Sequence, residues 1–145
     1  MRGAVEVRRA RPDEVARCQA IRREVFVEEQ GVPLAEEMDE HDAVCVHFLA
    51  FVGGEAVGTA RLRVTVDGHP KAERVAVRRP FRRAGVGRAL MRALEDEARA
   101  LGRRELVLNA QLPVVAFYER LGYRAEGPEF LEAGIPHRAM RKPLT

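Results

Sequence analysis

Residues 75–90, VAVRRPFRRAGVGRAL, contain the transition that decides the fold of this chain. A short apolar strand leads through a basic turn with glycines at 85 and 87 into a segment with helical spacing. Apolar residues recur there every three or four positions as far as Leu101, and Gly102 supplies a glycine cap. Residues 105–110 then form a buried strand. This strand–helix–strand order predicts a right-handed crossover and a parallel strand pair.

The first half of the chain has the alternation of antiparallel strands. Four strands are predicted, around Val5 and Val7 and at residues 45–52, 56–66 and 74–77. Pro12, followed by two acidic residues, opens a helix after the first strand. Gly-Gly and Asp-Gly turns separate the later strands, which therefore form a meander.

The last third completes the sheet. Residues 113–121 predict a short helix closed by Gly122, and two terminal strands follow near residues 123–125 and 137–142. The predicted class is α/β (α+β), with a mixed sheet, an antiparallel N-terminal meander, a parallel crossover and helices on both faces. With 145 residues and no linker or repeat, a single domain over residues 1–145 is expected.

Composition narrows the functional classes. Hydrophobic residues make up 46% and charged residues 32%, which excludes a disordered chain. No window approaches the roughly 18 apolar residues of a membrane helix, and the N-terminus lacks the apolar region of a signal peptide. We therefore expect a cytoplasmic protein without a membrane partner. The two cysteines, Cys18 and Cys45, lack the spacing of a zinc site, so no metal is predicted.

Acidic and basic residues are segregated along the chain. Residues 28–42 hold seven acidic side chains and no lysine or arginine, whereas residues 71–92 hold eight basic side chains and a single acid, Glu73. Such a basic stretch suits a phosphate, a nucleic acid or simply solvent. With two tyrosines, no tryptophan and no recognised nucleic-acid motif, no nucleic-acid partner is expected.

The basic turn before the helix has the geometry of an anion site. The first N–H groups of a helix lack partners, and the helix dipole adds positive charge there. Gly85 and Gly87 remove side chains that would hold a pyrophosphate away. The turn lacks the G-K-[ST] ending of a P-loop, and Leu90 stands where a dinucleotide fingerprint needs glycine or alanine. Tight helix packing is the alternative explanation of these glycines.

This stretch resembles a known signature. Arg82-x-x-Gly85-x-Gly87 resembles the acetyl-CoA motif, R/Q-x-x-G-x-G/A, of the GNAT N-acetyltransferase superfamily. Residues 117–123, FYERLGY, resemble the second motif of that superfamily, and residues 25–32 and 132–137 resemble its ElaA-like branch. The four segments are distributed in the expected order over residues 25–137, which is most of the chain.

The resemblance implies acetyl-CoA as cosubstrate. The strand with Val75 and Val77 would splay from its neighbour and pair with the pantetheine arm, and the following amides would face the pyrophosphate. Gln111 stands where many members carry asparagine, seven residues before the tyrosine. The implied cofactor-binding residues are Val75, Val77, Arg82, Arg83, Gly85, Val86, Gly87, Arg88 and Gln111.

The resemblance also implies a catalytic tyrosine. Tyr118 matches the residue that protonates the departing thiolate as general acid, although packing along its helix face is the alternative. Two general bases are candidates. Glu73 is expected on the same face as Val75 and Val77, and His137 is a candidate because an unperturbed imidazole titrates near neutral pH. An ion pair for Glu73, a structural role for His137, and a water relay from either are the alternatives.

The function expected is transfer of acetyl from acetyl-CoA to a primary amine of a small molecule or peptide, directly within a ternary complex. A non-catalytic acyl-CoA-binding sensor or partner module is the alternative, and a homodimer is left open. A cationic acceptor is expected beside residues 28–42 and the turn at 134–137, with a merely solvated acidic loop as the alternative.

Overall fold

The computed structural model of the chain describes residues 3–145, which form a mixed sheet with helices on both faces. The strands are β1 (Val5–Arg9), β2 (Val46–Val52), β3 (Glu55–Val64), β4 (Pro70–Val77), β5 (Glu105–Gln111), β6 (Arg124–Glu132) and β7 (Ile135–Pro143). The α-helices are α1 (Val15–Arg22), α2 (Leu34–Glu37), α3 (Val86–Ala100) and α4 (Val115–Arg120). None of the helices in this range is long and apolar enough to cross a membrane.

The sheet order, β1-β2-β3-β4-β5-β7-β6, confirms the predicted class. Strands β1 to β4 pair antiparallel in sequence as a meander, and β4 pairs with β5 in parallel across the α3 crossover. The helix predicted from the spacing of its apolar residues is α3, and Gly102 behind it has the positive φ of 75° expected of a glycine cap.

Several predicted boundaries are too short. Strand β4 begins at Pro70 rather than near residue 74, and β6 continues to Glu132 rather than ending near residue 125. Strand β7, Ile135–Pro143, is close to the predicted 137–142. Strand β6 forms the edge of the sheet and is exposed along most of its length. An edge strand buries few side chains, so its sequence lacks the apolar alternation on which strand prediction depends.

The core is divided between the two faces of the sheet. Helix α3 packs Leu90, Met91 and Leu94 onto one face, against β5 residues such as Leu106. Helix α1 and the π-helical turn that follows it, Arg23–Glu29, pack onto the other face. Residues of that second cluster are Cys18, Ile21, Val25, Leu49 and Ala76.

A β-bulge in β4 changes which residues face each side. Arg61 of β3 lies opposite Glu73 and Thr59 opposite Ala76, so β4 has one residue more than β3 in this interval. Arg74 takes a φ of 54° in the bulge. Ala76 packs with α1 and Glu73 contacts Arg61, whereas Val75 and Val77 pack on the α3 side. The prediction that Glu73 shares a face with the two valines is therefore wrong.

Candidate active site

A cleft opens where β4 and β5 part. Their parallel register covers only Lys71 with Val107 and Ala72 with Leu108 among the described residues. Beyond these pairs, residues 73–77 and 109–111 line a cavity of about 1210 Å³. The start of α3 and one side of α4 line the same cavity. The backbone of β4 beyond the bulge therefore has no β5 strand beside it on the cleft side.

The loop before α3 has the backbone geometry expected of an anion site. Arg83 and Gly85 have positive φ values of 66° and 82°, and α3 begins at Val86. The first intrahelical bond runs from the Ala89 N–H to the Gly85 carbonyl, so the preceding amides of the first turn are free of the helix ladder. Exposed Arg83 and Arg88 side chains flank these amides. This is the arrangement in which a helix N-terminus binds phosphate.

The two motif glycines serve different physical needs. Gly85 has space around its missing Cβ, but its φ of 82° disfavours any other residue. A Cβ on Gly87 would lie 3.2 Å from the ring of Phe117, so this glycine lets α3 pack closely on α4. At Gly87 the structure thus shows the packing alternative. Sequence analysis missed Gly58, whose Cβ would come within 2.9 Å of Val86 Cγ1.

The side chain of Arg82 makes hydrogen bonds within the protein. Its Nε donates to the Val77 carbonyl at 2.9 Å, and its two terminal nitrogens donate to the Glu29 carboxylate at 2.6 and 2.8 Å. These hydrogen bonds lower the pKa of Glu29. Arg82 therefore joins the loop before α3 to the π-helical turn, while Arg83 and Arg88 are exposed and have no ion pair within residues 3–145.

Tyr118 lies on α4 and lines the cleft. Its ring packs edge-on against Phe117 and Tyr123, with centroids 5.0 and 5.9 Å away. Burial raises its pKa, which keeps the phenol protonated. Within residues 3–145, no protein group accepts a hydrogen bond from its hydroxyl, unlike that of Tyr123, which donates to Glu95 at 2.8 Å. Tyr118 can therefore both pack and donate a proton to a ligand.

Glu73 is surrounded by cations. Arg61 and Arg63 donate to its carboxylate at 2.8 and 3.0 Å, and the Lys71 ammonium lies 3.3 Å away. Burial acts to raise the pKa of Glu73, but these cations outweigh it and lower the pKa to about 2. The structure shows the ion-pair alternative at this position, and a carboxylate with so low a pKa is a weak proton acceptor.

Several acids of residues 28–42 also form ion pairs with arginine. Glu37 makes a bidentate pair with Arg22, and Asp39 pairs with Arg61 at 2.7 Å. Asp42 accepts hydrogen bonds from both arginines at 2.8 Å. Both guanidiniums are 1% exposed, so these contacts form an ion-pair network beneath the surface. Four of the seven acids of residues 28–42 are thus paired with arginine, whereas Glu28, Glu36 and Glu40 are exposed and have no ion pair within residues 3–145. A cationic acceptor beside this segment stays a prediction.

His137 lies within β7, two residues after Ile135 and three after the end of the Ala133-Gly134 turn. Its Nδ1 donates to the Ile135 carbonyl at 2.6 Å, which leaves Nε2 as the nitrogen able to accept a proton. The residue is 6% exposed and lines the cleft. Of the two candidate bases, His137 has the free acceptor.

Gln111 lies opposite His137 in the β5–β7 register. Its Nε2 donates to the Gln30 Oε1 at 2.9 Å, which ties the end of β5 to the segment after α1. Gln30 was not identified from sequence, because no local pattern marks a residue that acts through a contact 81 positions away.

Comparison with known proteins agrees with this geometry. The acetyltransferase (GNAT) domain family matches residues 9–144. The uncharacterized N-acetyltransferase YjcF of Bacillus subtilis is 46% identical over 123 residues, which are 84% of this chain and 87% of YjcF.

Two solved structures extend the comparison. Escherichia coli ElaA superimposes with a TM-score of 0.83 at 26% identity, over 96% of this chain and 99% of ElaA. An acyl-CoA N-acyltransferase from Pseudomonas aeruginosa gives 0.81 at 31% identity, over 96% and 98%. The match to ElaA supports the ElaA-like branch. By sequence and by structure, the chain belongs to the GNAT acetyltransferase family.

Proposed function

We propose that this acetyltransferase moves the acetyl group of acetyl-CoA to a primary amine, by direct transfer in a ternary complex. The parting of β4 and β5 beside the N-terminus of α3 carries this proposal. It places an unpaired strand edge next to an anion site, as an extended thioester with a pyrophosphate requires.

The residues of the cleft fit acetyl-CoA in three parts. The backbone of Val75 and Val77 offers groups with which pantetheine amides can pair as an added strand. The amides from Arg83 to Arg88 would hold the pyrophosphate, and the exposed Arg83 and Arg88 side chains would add charge-assisted hydrogen bonds to phosphate. Gln111, at the end of β5, lines the same cavity and would contact the pantetheine arm.

Proton transfer would use two residues of the cleft. Nε2 of His137, directly or through a water, takes a proton from the acceptor ammonium, and the amine nitrogen then attacks the thioester carbonyl. As the C–S bond breaks, the Tyr118 hydroxyl gives its proton to the thiolate and regains one from the acetylated nitrogen. One proton is released for each amide formed.

A covalent acetyl-cysteine intermediate has little support. Burial raises the pKa of Cys45 to about 11 and also raises that of Cys18. The reactive form of a cysteine is the thiolate, which these shifts disfavour at neutral pH. Direct transfer to the amine therefore fits the site better.

The test is thiol release from acetyl-CoA with a panel of primary amines and lysine-containing peptides, beside calorimetric titration with coenzyme A. We expect micromolar-range binding together with amine-dependent turnover. Binding without turnover by any amine would favour the sensor alternative, and absence of binding would contradict both.

A further inference from the structure

Glu132 stands at the end of β6, immediately before the two-residue turn to β7. Ala133 and Gly134 in that turn have positive φ values of 51° and 73°. A turn with two positive φ values matches the right-handed twist of its flanking strands, and here it pairs Glu132 with Ile135. The carboxylate is 46% exposed and lines the cleft.

One hydrogen bond orients this carboxylate, and an imidazole lies beside it. Asn109 of β5 donates from Nδ2 to the Glu132 Oε1 at 3.0 Å. The other oxygen, Oε2, lies 3.6 Å from the His137 Nε2, beyond hydrogen-bond distance. His137 is nearly buried, and it belongs to the lining of the cleft. An oriented carboxylate oxygen and a proton-accepting nitrogen thus lie side by side without a hydrogen bond between them.

Glu132 also differs from most acids of the cleft in its charge balance. The carboxylates that line the cavity are Glu36, Glu37, Asp39, Glu73 and Glu132. Three of them pair with arginine or lysine, whereas Glu36 and Glu132 have no such partner within residues 3–145. Of these two, only Glu132 lies beside the imidazole. Its negative charge is therefore available to a cation from solution.

We propose that Glu132 binds the reacting ammonium of the acceptor and presents it to His137. This inference rests on the proposed function and names the form of the amine that is bound. One N–H of the ammonium donates to the Glu132 Oε2, and another faces the His137 Nε2. Charge-assisted hydrogen bonds of this kind are about twice as strong as neutral ones. The N–H bond facing His137 breaks, and its proton moves to Nε2.

The expected specificity follows from these contacts. A protonated alkyl amine should bind in preference to an alcohol of the same length, because an alcohol has no charge to match Glu132. Glu132→Gln keeps the size of the side chain and the Asn109 acceptor but removes the charge. Glu129→Gln on the same strand is the matched control, since Glu129 is exposed and lies outside the cavity lining.

The experiment is an NMR titration of labelled protein with butylammonium chloride and, separately, butan-1-ol, with and without saturating coenzyme A. The Asn109 side-chain amide and the His137 ring protons report on the site. We expect the ammonium but not the alcohol to shift these signals, with affinity at least tenfold lower in Glu132→Gln and unchanged in Glu129→Gln.

Equal affinity in parent and Glu132→Gln, or no shift at these signals in the parent, would overturn the inference. A parallel turnover assay with butylamine should show an increase in KM of at least tenfold for Glu132→Gln and a smaller change in kcat. If Glu132 had only a structural role, KM would not change more than kcat. Ammonium binding at Glu132 without acetylation of any amine would instead overturn the proposed function alone.

Discussion

Arg82 and Glu29 form a bidentate ion pair, with N–O distances of 2.6 and 2.8 Å, between the loop before α3 and the π-helical turn. The pair lies at the surface, so its own contribution to stability is small. Its consequence is positional, because the same guanidinium holds the Val77 carbonyl at 2.9 Å.

Arg82→Ala should therefore weaken coenzyme A binding at least tenfold, about 1.4 kcal/mol, because the loop loses both anchors and a positive charge. Glu29→Gln should change the affinity less than threefold, since Arg82 keeps its charge and its bond to Val77. Calorimetry on both variants checks this, and equal losses would show that the ion pair itself organises the loop.

Gly87→Ala should lower the free energy of unfolding by about 1–3 kcal/mol, the usual cost of overpacking. The reason is the 3.2 Å approach of the new Cβ to the Phe117 ring. Phe117→Leu in the same background should recover part of the loss, as measured by urea unfolding. Unchanged stability combined with weakened coenzyme A binding would instead assign this glycine to the phosphate.

Tyr118→Phe should lower kcat about 100-fold with little change in acetyl-CoA affinity, because the ring still packs and only the proton donor is lost. Tyr123→Phe is the matched control. It removes the bond to Glu95 and should reduce stability by about 1 kcal/mol without affecting turnover. Equal kcat in Tyr118→Phe and the parent across pH would leave Tyr118 a packing residue.

His137→Gln should lower kcat about 100-fold, as expected on loss of a general base. Glu73→Gln should act first on stability, by about 1.5–3 kcal/mol, because Arg61 and Arg63 lose charge-assisted hydrogen bonds while Arg61 keeps Asp39 and Asp42. Steady-state kinetics and urea unfolding of both variants separate these effects. Loss of activity confined to a stably folded Glu73→Gln would reverse the assignment.

Stability should fall steeply in acid. Burial acts to raise the pKa of Asp39 and of Glu73, but neighbouring arginines lower both to about 2, from ordinary values of 3.8 and 4.5. A pKa depressed in the folded state stabilises the protein above the unfolded-state value, and this contribution is lost as pH falls towards 2.

Urea unfolding between pH 7 and pH 2 measures this dependence. The free energy of unfolding should be nearly constant to about pH 5 and then decline. Asp39→Asn should be less stable at pH 7 and show a shallower decline, whereas Asp67→Asn in an exposed turn should follow the parent. Identical slopes in parent and Asp39→Asn would contradict a role for this ion pair.

The sequence by itself determined the seven strands, helices α1, α3 and α4, and their order, because the signals for them are local. The spacing of apolar residues between Val86 and Leu101 defines one helix face, and Gly85 and Gly102 supply the left-handed backbone at its two ends. Residues 75–110 were sufficient to predict the parallel crossover, which the structure confirms, whereas the anion site beside it stays a prediction. Such patterns depend on neighbours a few positions apart, which any one sequence contains.

Only the tertiary structure decided which groups of the cleft remain chemically available. The bulge at Arg74 turns Glu73 towards Arg61, and no composition or spacing rule predicts that one extra residue. Glu132 comes to His137 only through the pairing of β6 with β7. Charges attract over distances in space rather than along the chain, so which acids are neutralised and which stay free depends on the fold.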